Sequence, residues 1–167
     1  MNSNGCFIIV YKGVHHLMFN KYAYPSELGE SLKSDLQLLL NKKSMDDIHT
    51  LLDKMKWLDE TSPPPTENDI KALEYLNMNV CEWGYETSST NTWNDLLQRT
   101  RGQLYDILLC GYCQVQHTFI DEADVNKITD DKALSYTYII NFDTMEFNGR
   151  CSSKNYFWCF TFSELVE

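Results

Sequence analysis

The sequence predicts an α+β fold: an antiparallel sheet formed by an N-terminal hairpin and C-terminal strands, with central helices packed on one face. Residues 6–11 and 14–19 are two short β-branched and aromatic runs separated by a turn. Residues 136–142 and 155–162 are aromatic-rich runs near the other end of the chain. Between these ends, leucine and isoleucine recur at three- and four-residue steps, which is typical of amphipathic helices.

The first helices are predicted from local start signals. Lys12-Gly13 closes the hairpin, and Pro25 can begin a helix because the first helical turn does not need the N–H that proline lacks. A leucine stripe then continues through about Asn41. A second helix is predicted after Ser44, whose hydroxyl can cap the first N–H groups.

The middle of the chain contains one stiff segment, the proline-rich stretch of residues 61–66. Three consecutive prolines favour an extended conformation and cannot lie inside a helix, so we interpret this stretch as a spacer. Thr66 is predicted to cap a short helix. The longest helix is predicted over residues 93–113, with Gly102 as its weak point. Residues 121–131 are predicted to be an acidic loop, with a helical turn inside it as the alternative.

Length and charge restrict the classes of function. We treat residues 1–167 as a single α+β domain, since 167 residues is the size of one ordinary domain. The formal net charge of −10 disfavours nucleic acid as a partner. No apolar run reaches the roughly 20 residues that span a bilayer, and the N-terminus has no basic region typical of a signal peptide. We therefore expect an intracellular, cytoplasmic protein that is not secreted and has no membrane partner.

The six cysteines are expected to be reduced thiols, because the chain is long enough to form a core without disulfides. Cys110 and Cys113, with His117, suggest part of a zinc site, but no second close ligand pair follows them. A Cys-x-x-Cys pair at a helix end also lacks the dipole that stabilises a thiolate. We predict buried core cysteines, no metal and no cofactor.

An alternative class is a small cysteine-dependent amide or ester hydrolase of N-terminal-nucleophile-like layout. Cys6, at the start of the first strand, would be the nucleophile, and His15 or His16 would be the base. Such enzymes expose the α-amine of the nucleophile by processing, which would require removal of residues 1–5. Because Cys6 begins a hydrophobic run that can bury it, we prefer a protein that is not an enzyme.

Several short matches connect the chain with a known family. They are Tyr11-Lys12-Gly13, Phe19-Asn20, Tyr24-Pro25 and Leu28-Gly29, with similar strands at residues 138–143 and 160–165. In this order they resemble an uncharacterised family of proteins from phages, large DNA viruses and fungi. In that family a Tyr-Lys-Gly hairpin precedes a corner of the form (His-Trp-Asp)-x-Tyr-Pro-x-x-Leu-Gly. The family has no established activity, so the resemblance implies a viral context and no mechanism.

This chain departs from the family pattern at one place. Lys21-Tyr22-Ala23 stand where the family has His-Trp-Asp, so a catalytic or binding pair formed by that His and Asp would be lost. We therefore predict a non-enzymatic interaction protein, such as a viral accessory factor, that binds a cellular protein or a small ligand. Tyr and Trp dominate binding hot spots. The predicted anchors are Tyr22, Tyr24, Trp83 and Trp93. The competing interpretation is that these rings only cap the core.

Overall fold

The computed structural model describes residues 3–77 and 92–166. The strands are β1 Gly5–Tyr11, β2 Val14–Asn20, β3 Lys56–Leu58, β4 Tyr112–Gln114, β5 His117–Phe119, β6 Tyr136–Asn141, β7 Glu146–Ser152 and β8 Asn155–Thr161. The α-helices are α1 Glu30–Lys42, α2 Met45–Asp53, α3 Glu67–Leu73, α4 Trp93–Leu96, α5 Leu104–Cys110, α6 Glu122–Thr129 and α7 Phe162–Leu165. A π-helical turn at Pro25–Gly29 leads into α1, and 3-10 turns lie at Glu74–Asn77 and Gln98–Thr100.

Six strands form the main sheet in the order β5-β2-β1-β6-β7-β8, and β3 and β4 form a separate pair. The predicted α+β fold is confirmed, with the N-terminal hairpin and the C-terminal strands in one sheet. One part of the prediction is wrong: β1 pairs with β6 in parallel, whereas its pairing with β2 is antiparallel. A parallel pair requires a long crossover between its strands, and the segment from β2 to β6 supplies one.

The hairpin turn is built as its sequence predicts. Lys12 and Gly13 both have positive φ, at 50° and 74°, which is the backbone form that matches the twist of a two-residue hairpin. The Asp143 carboxylate accepts their backbone N–H groups at 2.7 and 2.9 Å. This side chain lies in the turn after β6, so it ties the two turns at one end of the sheet together.

The two faces of the sheet carry different layers. Along β1, Phe7 and Ile9 face a large core that includes α1, α2 and α5. Cys6, Ile8 and Val10 point to the opposite face, because side chains alternate along a strand. That second face packs against Val125 of α6. Residues 121–131 were predicted as a loop with a helical turn as the alternative, and the structure has the eight-residue helix α6 there. The helices were predicted on one face of the sheet, so the position of α6 on the second face differs from the prediction.

The predicted longest helix over residues 93–113 is wrong. Its place is taken by α4, a 3-10 turn, α5 and the strand β4. Gly102 has a φ of 71° and Gly111 a φ of 80°, both in the left-handed region that ends a right-handed helix. The apolar residues of this segment are therefore divided between two core clusters, with Leu96 and Leu97 in one and Leu104, Ile107 and Leu108 in the other.

The predicted helix starts at Ser44 and Thr66 are confirmed. The Ser44 hydroxyl accepts the N–H of Asp47 at 3.1 Å, and Thr66 forms a reciprocal capping box with Asp69. In the proline-rich stretch, the Pro63 carbonyl accepts the Trp93 indole N–H at 2.8 Å. The spacer is thus bonded to α4, and the single domain of residues 1–167 stays a prediction.

Candidate binding site

The corner between β2 and the first helical turn is held by one small buried residue. Ala23 is fully buried, its N–H donates to the Ser3 carbonyl at 2.7 Å, and its carbonyl accepts the Tyr138 hydroxyl at 2.7 Å. The preceding Tyr22 has a φ of 56° and 67% of its surface is exposed. A bulky residue in the left-handed region is uncommon and is tolerated only where its neighbours fix it. The bonds of Ala23 thus hold Tyr22 out from the protein.

A second turn meets this corner. Thr100 is buried and its hydroxyl donates to the Leu97 carbonyl at 2.9 Å, which closes the 3-10 turn before Gly102. A Cβ added at Gly102 would lie 3.4 Å from Nδ2, the side-chain nitrogen of Asn20. The turn that contains Arg101 therefore packs directly on the end of β2.

Near the same corner, the outer edge of β2 bonds first to backbone and then to a side chain. Where β5 begins, the Gln116 N–H donates to the Leu17 carbonyl at 3.0 Å. One step further, the Gln116 side-chain oxygen accepts the Phe19 N–H at 2.8 Å, where a longer strand would have offered a carbonyl. The strand edge is therefore satisfied by a side chain, and the Phe19 ring stays 43% exposed.

These elements enclose a groove of about 850 Å³, which we call the corner groove. Its apolar floor reaches core side chains and is formed by Phe7, Met18, Leu97, Ile107 and Cys113. Its rim is mostly polar and aromatic and includes Phe19, Asn20, Lys21, Tyr22, Asn94, Arg101, Gln114 and Gln116. The volume is within the range of about 300–1,000 Å³ that is usual for small-ligand sites.

The charge of the corner groove differs from that of the whole chain. Lys21 and Arg101 lie on its rim, and none of its described lining residues is an aspartate or glutamate. Within the described ranges, Lys21 has no ion pair, and Arg101 hydrogen-bonds through its guanidinium to the neutral Asn94 side chain. The chain carries a net charge of −10, so this is a local positive region on an acidic protein.

The four predicted anchors do not come together. Tyr22 lies on the corner groove, whereas Tyr24 is half-buried with its ring centroid 5.9 Å from that of Tyr136. Trp93 is half-buried and its indole is bonded to the Pro63 carbonyl, which fits the competing interpretation of a core cap. Trp83 lies outside the described residues. Arg101 and Gln116 were missed because no local pattern connects them to the corner.

The catalytic residues of the alternative interpretation are also dispersed. Cys6 is fully buried, and burial raises the pKa of its thiol to about 11, so the thiolate needed for attack is disfavoured. His16 lies on the other face of the sheet, stacked on Trp57. His15 is on the same face as Cys6 but pairs with Val10, about 13 Å further along β1. The structure brings neither histidine to the thiol.

The Cys-x-x-Cys pair is divided between two elements. Cys110 ends α5, where its Sγ lies 3.3 Å from the Tyr112 carbonyl, and Cys113 is buried in β4. His117 lies in β5 with its ring centroid 5.6 Å from that of Phe119. Over residues 3–77 and 92–166, no group of three or more His, Cys, Asp or Glu side chains is placed to hold a metal ion.

One buried cation was not anticipated. Arg150 is 1% exposed, and its guanidinium donates to Asn126 and Thr129 of α6, at 2.9 and 3.0 Å, and to the Tyr156 hydroxyl at 3.1 Å. All three partners are neutral, and a buried guanidinium bonded in this way holds α6 on the sheet. We assign Arg150 a structural role.

Comparisons with protein-family models, with curated proteins and with solved structures found no match to this chain. The resemblance to the phage, viral and fungal family therefore stays a prediction. In the part of the chain that the structure describes, no helix combines the length and the apolar character needed to cross a bilayer.

Proposed function

We propose that the chain is a non-enzymatic binding protein that holds its ligand, or a group of a partner protein, in the corner groove. The observation that carries this proposal is the groove itself: an apolar floor below a rim with exposed aromatic rings and cations. Concave sites of this composition bind organic groups, because removing the apolar floor from water is favourable in free energy and the polar rim orients the ligand.

The aromatic rim supports binding. Phe19 and Tyr22 are large side chains with 43% and 67% of their surface exposed beside the groove. Such rings contribute strongly to affinity when a partner covers them. Tyr22 is also held in a left-handed backbone conformation, which is energetically unfavourable for a residue other than glycine. Such strained conformations occur preferentially where a side chain has a function.

A non-enzymatic role is favoured by the positions of the candidate nucleophile and bases. Cys6 is buried with a raised pKa, and its Sγ lies 3.6 Å from the Thr137 hydroxyl. A nucleophile requires a base within hydrogen-bond reach, and His15 and His16 lie elsewhere on the sheet. The hydrolase interpretation therefore has less support than binding.

The cellular setting is part of the same proposal. Six cysteines in a chain with its own hydrophobic core favour a reducing, cytoplasmic compartment. The net charge of −10 disfavours nucleic acid and leaves a cellular protein or a small ligand as the partner. The resemblance of the corner motif to proteins of phages and large DNA viruses supports a viral accessory role.

The proposal is tested by affinity capture with three immobilised forms of the protein: wild type, Tyr22→Ala and Tyr75→Ala. Tyr75 is the control, because it is 55% exposed and does not line the corner groove. Mass spectrometry of retained proteins and small molecules should find at least one species held by wild type and Tyr75→Ala and lost from Tyr22→Ala. Equal retention by all three forms would remove the corner groove as the site.

A further inference from the structure

We infer that the corner groove binds a small amphipathic organic anion, with its apolar body on the floor and its anionic group between Lys21 and Arg101. This inference rests on the proposed function and adds the chemical class of the ligand.

Two cations lie on the rim of the corner groove in a protein with 24 acidic and 14 basic side chains. Among the described residues, Lys12, Lys56 and Lys127 each pair with an aspartate, and the remaining basic side chains have no such pair. The corner groove is distinguished by its composition, because none of its described lining residues is acidic. On the groove rim, Lys21 and Arg101 have no carboxylate among the described residues. An anion that enters the groove therefore meets two cations whose charge no described carboxylate offsets.

The two rim cations lie on neighbouring turns. A Cβ added at Gly102 would lie 3.4 Å from the Asn20 side-chain nitrogen, so the turn at Gly102 is close to the end of β2. Lys21 follows Asn20, and Arg101 precedes Gly102, so both cations belong to this part of the rim. A carboxylate, sulfonate or phosphate placed there is attracted by both charges, and guanidinium is well suited to bind such pairs of oxygens.

The depth of the groove favours a small molecule over a protein surface. Phe7, Leu97 and Ile107 line the floor although each is 2% exposed, so the groove reaches side chains of the core. An apolar floor accepts a ring or an alkyl chain, because apolar surface of both the ligand and the floor is then removed from water. A flat protein partner would contact rim residues such as Phe19 and Tyr22 and would leave the floor uncovered.

Two dyes of similar shape test the inference. Anilinonaphthalene sulfonate carries one negative charge, and N-phenylnaphthylamine has the same aromatic body without it. Fluorescence titration of the full chain at low salt should give one site per chain and a dissociation constant at least about fivefold lower for the charged dye. In Lys21→Gln/Arg101→Gln this preference should be lost, while the affinity for the neutral dye changes less than about twofold.

Controls separate charge from folding. Lys71→Gln/Lys154→Gln removes two exposed lysines that, like their chain neighbours, do not line the groove, and should leave both dissociation constants unchanged. Lys21→Gln alone removes a side chain with no described bond, so it should keep the melting temperature of wild type and still weaken the charged dye. If the neutral dye binds and the substitutions of Lys21 and Arg101 change neither dissociation constant, the anion inference is overturned and the proposed function stays intact. If neither dye binds, the result contradicts the anion inference and the proposed function together.

Competition identifies the kind of anion. Octanoate should displace the bound charged dye, and octanol at the same concentration should displace it much less. Displacement by the acidic peptide acetyl-Asp-Phe-Asp-amide but not by octanoate would assign the groove to a segment of a partner protein and overturn the small-molecule inference.

Discussion

The imidazole of His16 lies parallel to the indole of Trp57, with ring centroids 3.7 Å apart and an interplanar angle of 6°. His16 is in β2 and Trp57 in β3, so the stack joins the main sheet to the two-stranded one. Only 7% of His16 is exposed, and its Nδ1 has no hydrogen-bond partner among the described residues. Burial, with a smaller contribution from the charge of His15, lowers the pKa of His16 to about 4.

This stack predicts a pH dependence of stability. An unperturbed histidine has a pKa of 6.5, whereas the pKa of His16 is about 4 in the folded chain, so between these values the unfolded chain binds more protons. The free energy of unfolding should therefore fall as the pH falls from 6.5 towards 4, with about 1–3 kcal/mol coming from His16. His16→Phe keeps a flat ring on Trp57 and should remove that part of the dependence in urea titrations.

His15→Gln is the matched control, because His15 neighbours His16 and points to the other face of the sheet. In this variant the free energy of unfolding should fall between pH 6.5 and 4 with most of the slope that wild type has. If His16→Phe and wild type have parallel stability curves over this range, His16 is not a buried neutral group in solution.

Asp69 is predicted to contribute strongly to stability, because it joins the helix α3 to both strands of the two-stranded sheet. It accepts the Thr66 N–H at 2.9 Å, the Tyr112 hydroxyl at 2.7 Å and the Lys56 ammonium at 3.3 Å. The Thr66 N–H, followed by the Tyr112 hydroxyl, holds the pKa of Asp69 well below its usual range. Asp69→Ala removes the carboxylate half of the capping box and leaves the buried Tyr112 hydroxyl unpaired, so it should lower the free energy of unfolding by about 2–4 kcal/mol.

Asp124 provides the comparison for Asp69, because it pairs with Lys127 at 3.5 Å on an exposed helix surface. Asp124→Ala should cost less than about 0.5 kcal/mol in the same denaturant titration. Equal losses in the two variants would show that the Asp69 bonds contribute no more than a surface pair.

Two glycines with similar backbone angles are predicted to respond differently to alanine. Gly13 has a φ of 74° with open space around its missing side chain, whereas a Cβ on Gly102 would lie 3.2 Å from a Leu28 methyl group. Gly13→Ala should cost about 1 kcal/mol through its backbone angle alone. Gly102→Ala adds crowding and should cost about 2–3 kcal/mol.

Thermal unfolding of the two alanine variants measures this difference, and dye titration reports whether the Gly102→Ala turn still forms the corner groove. If Gly102→Ala lowers the stability less than Gly13→Ala does, the space between the Gly102 turn and Leu28 is larger in solution than in the structure.

Thiol reactivity is predicted to follow exposure. Cys151 and Cys159 are exposed, Cys6 and Cys113 are buried, and burial raises the pKa of both buried thiols. Alkylation of the native chain with iodoacetamide at neutral pH, followed by peptide mapping, should, among the cysteines that the structure describes, modify Cys151 and Cys159 first and Cys6 only after unfolding. Rapid and selective modification of Cys6 would instead support the hydrolase interpretation.

Local features of the fold were predictable from the sequence. The hairpin around Lys12-Gly13 and the caps at Ser44 and Thr66 each depend on residues within a few positions of one another, and all three are confirmed. The strand-rich ends were also recognisable, because aromatic and β-branched runs keep their preference in most surroundings. The three-residue strands β3 and β4 were missed, since so short a segment carries no periodic signal.

The arrangement of these elements was decided by tertiary structure. The parallel pairing of β1 with β6 and the division of residues 93–113 at Gly102 depend on which apolar faces are buried together. The corner groove arises in the same way: Tyr22 was predictable as an exposed ring in an aromatic turn, but Arg101 lies on the same groove because the fold brings the turn at Gly102 close to Asn20. Sequence determines conformation through neighbours along the chain, whereas a binding site between distant segments is determined by how the core packs.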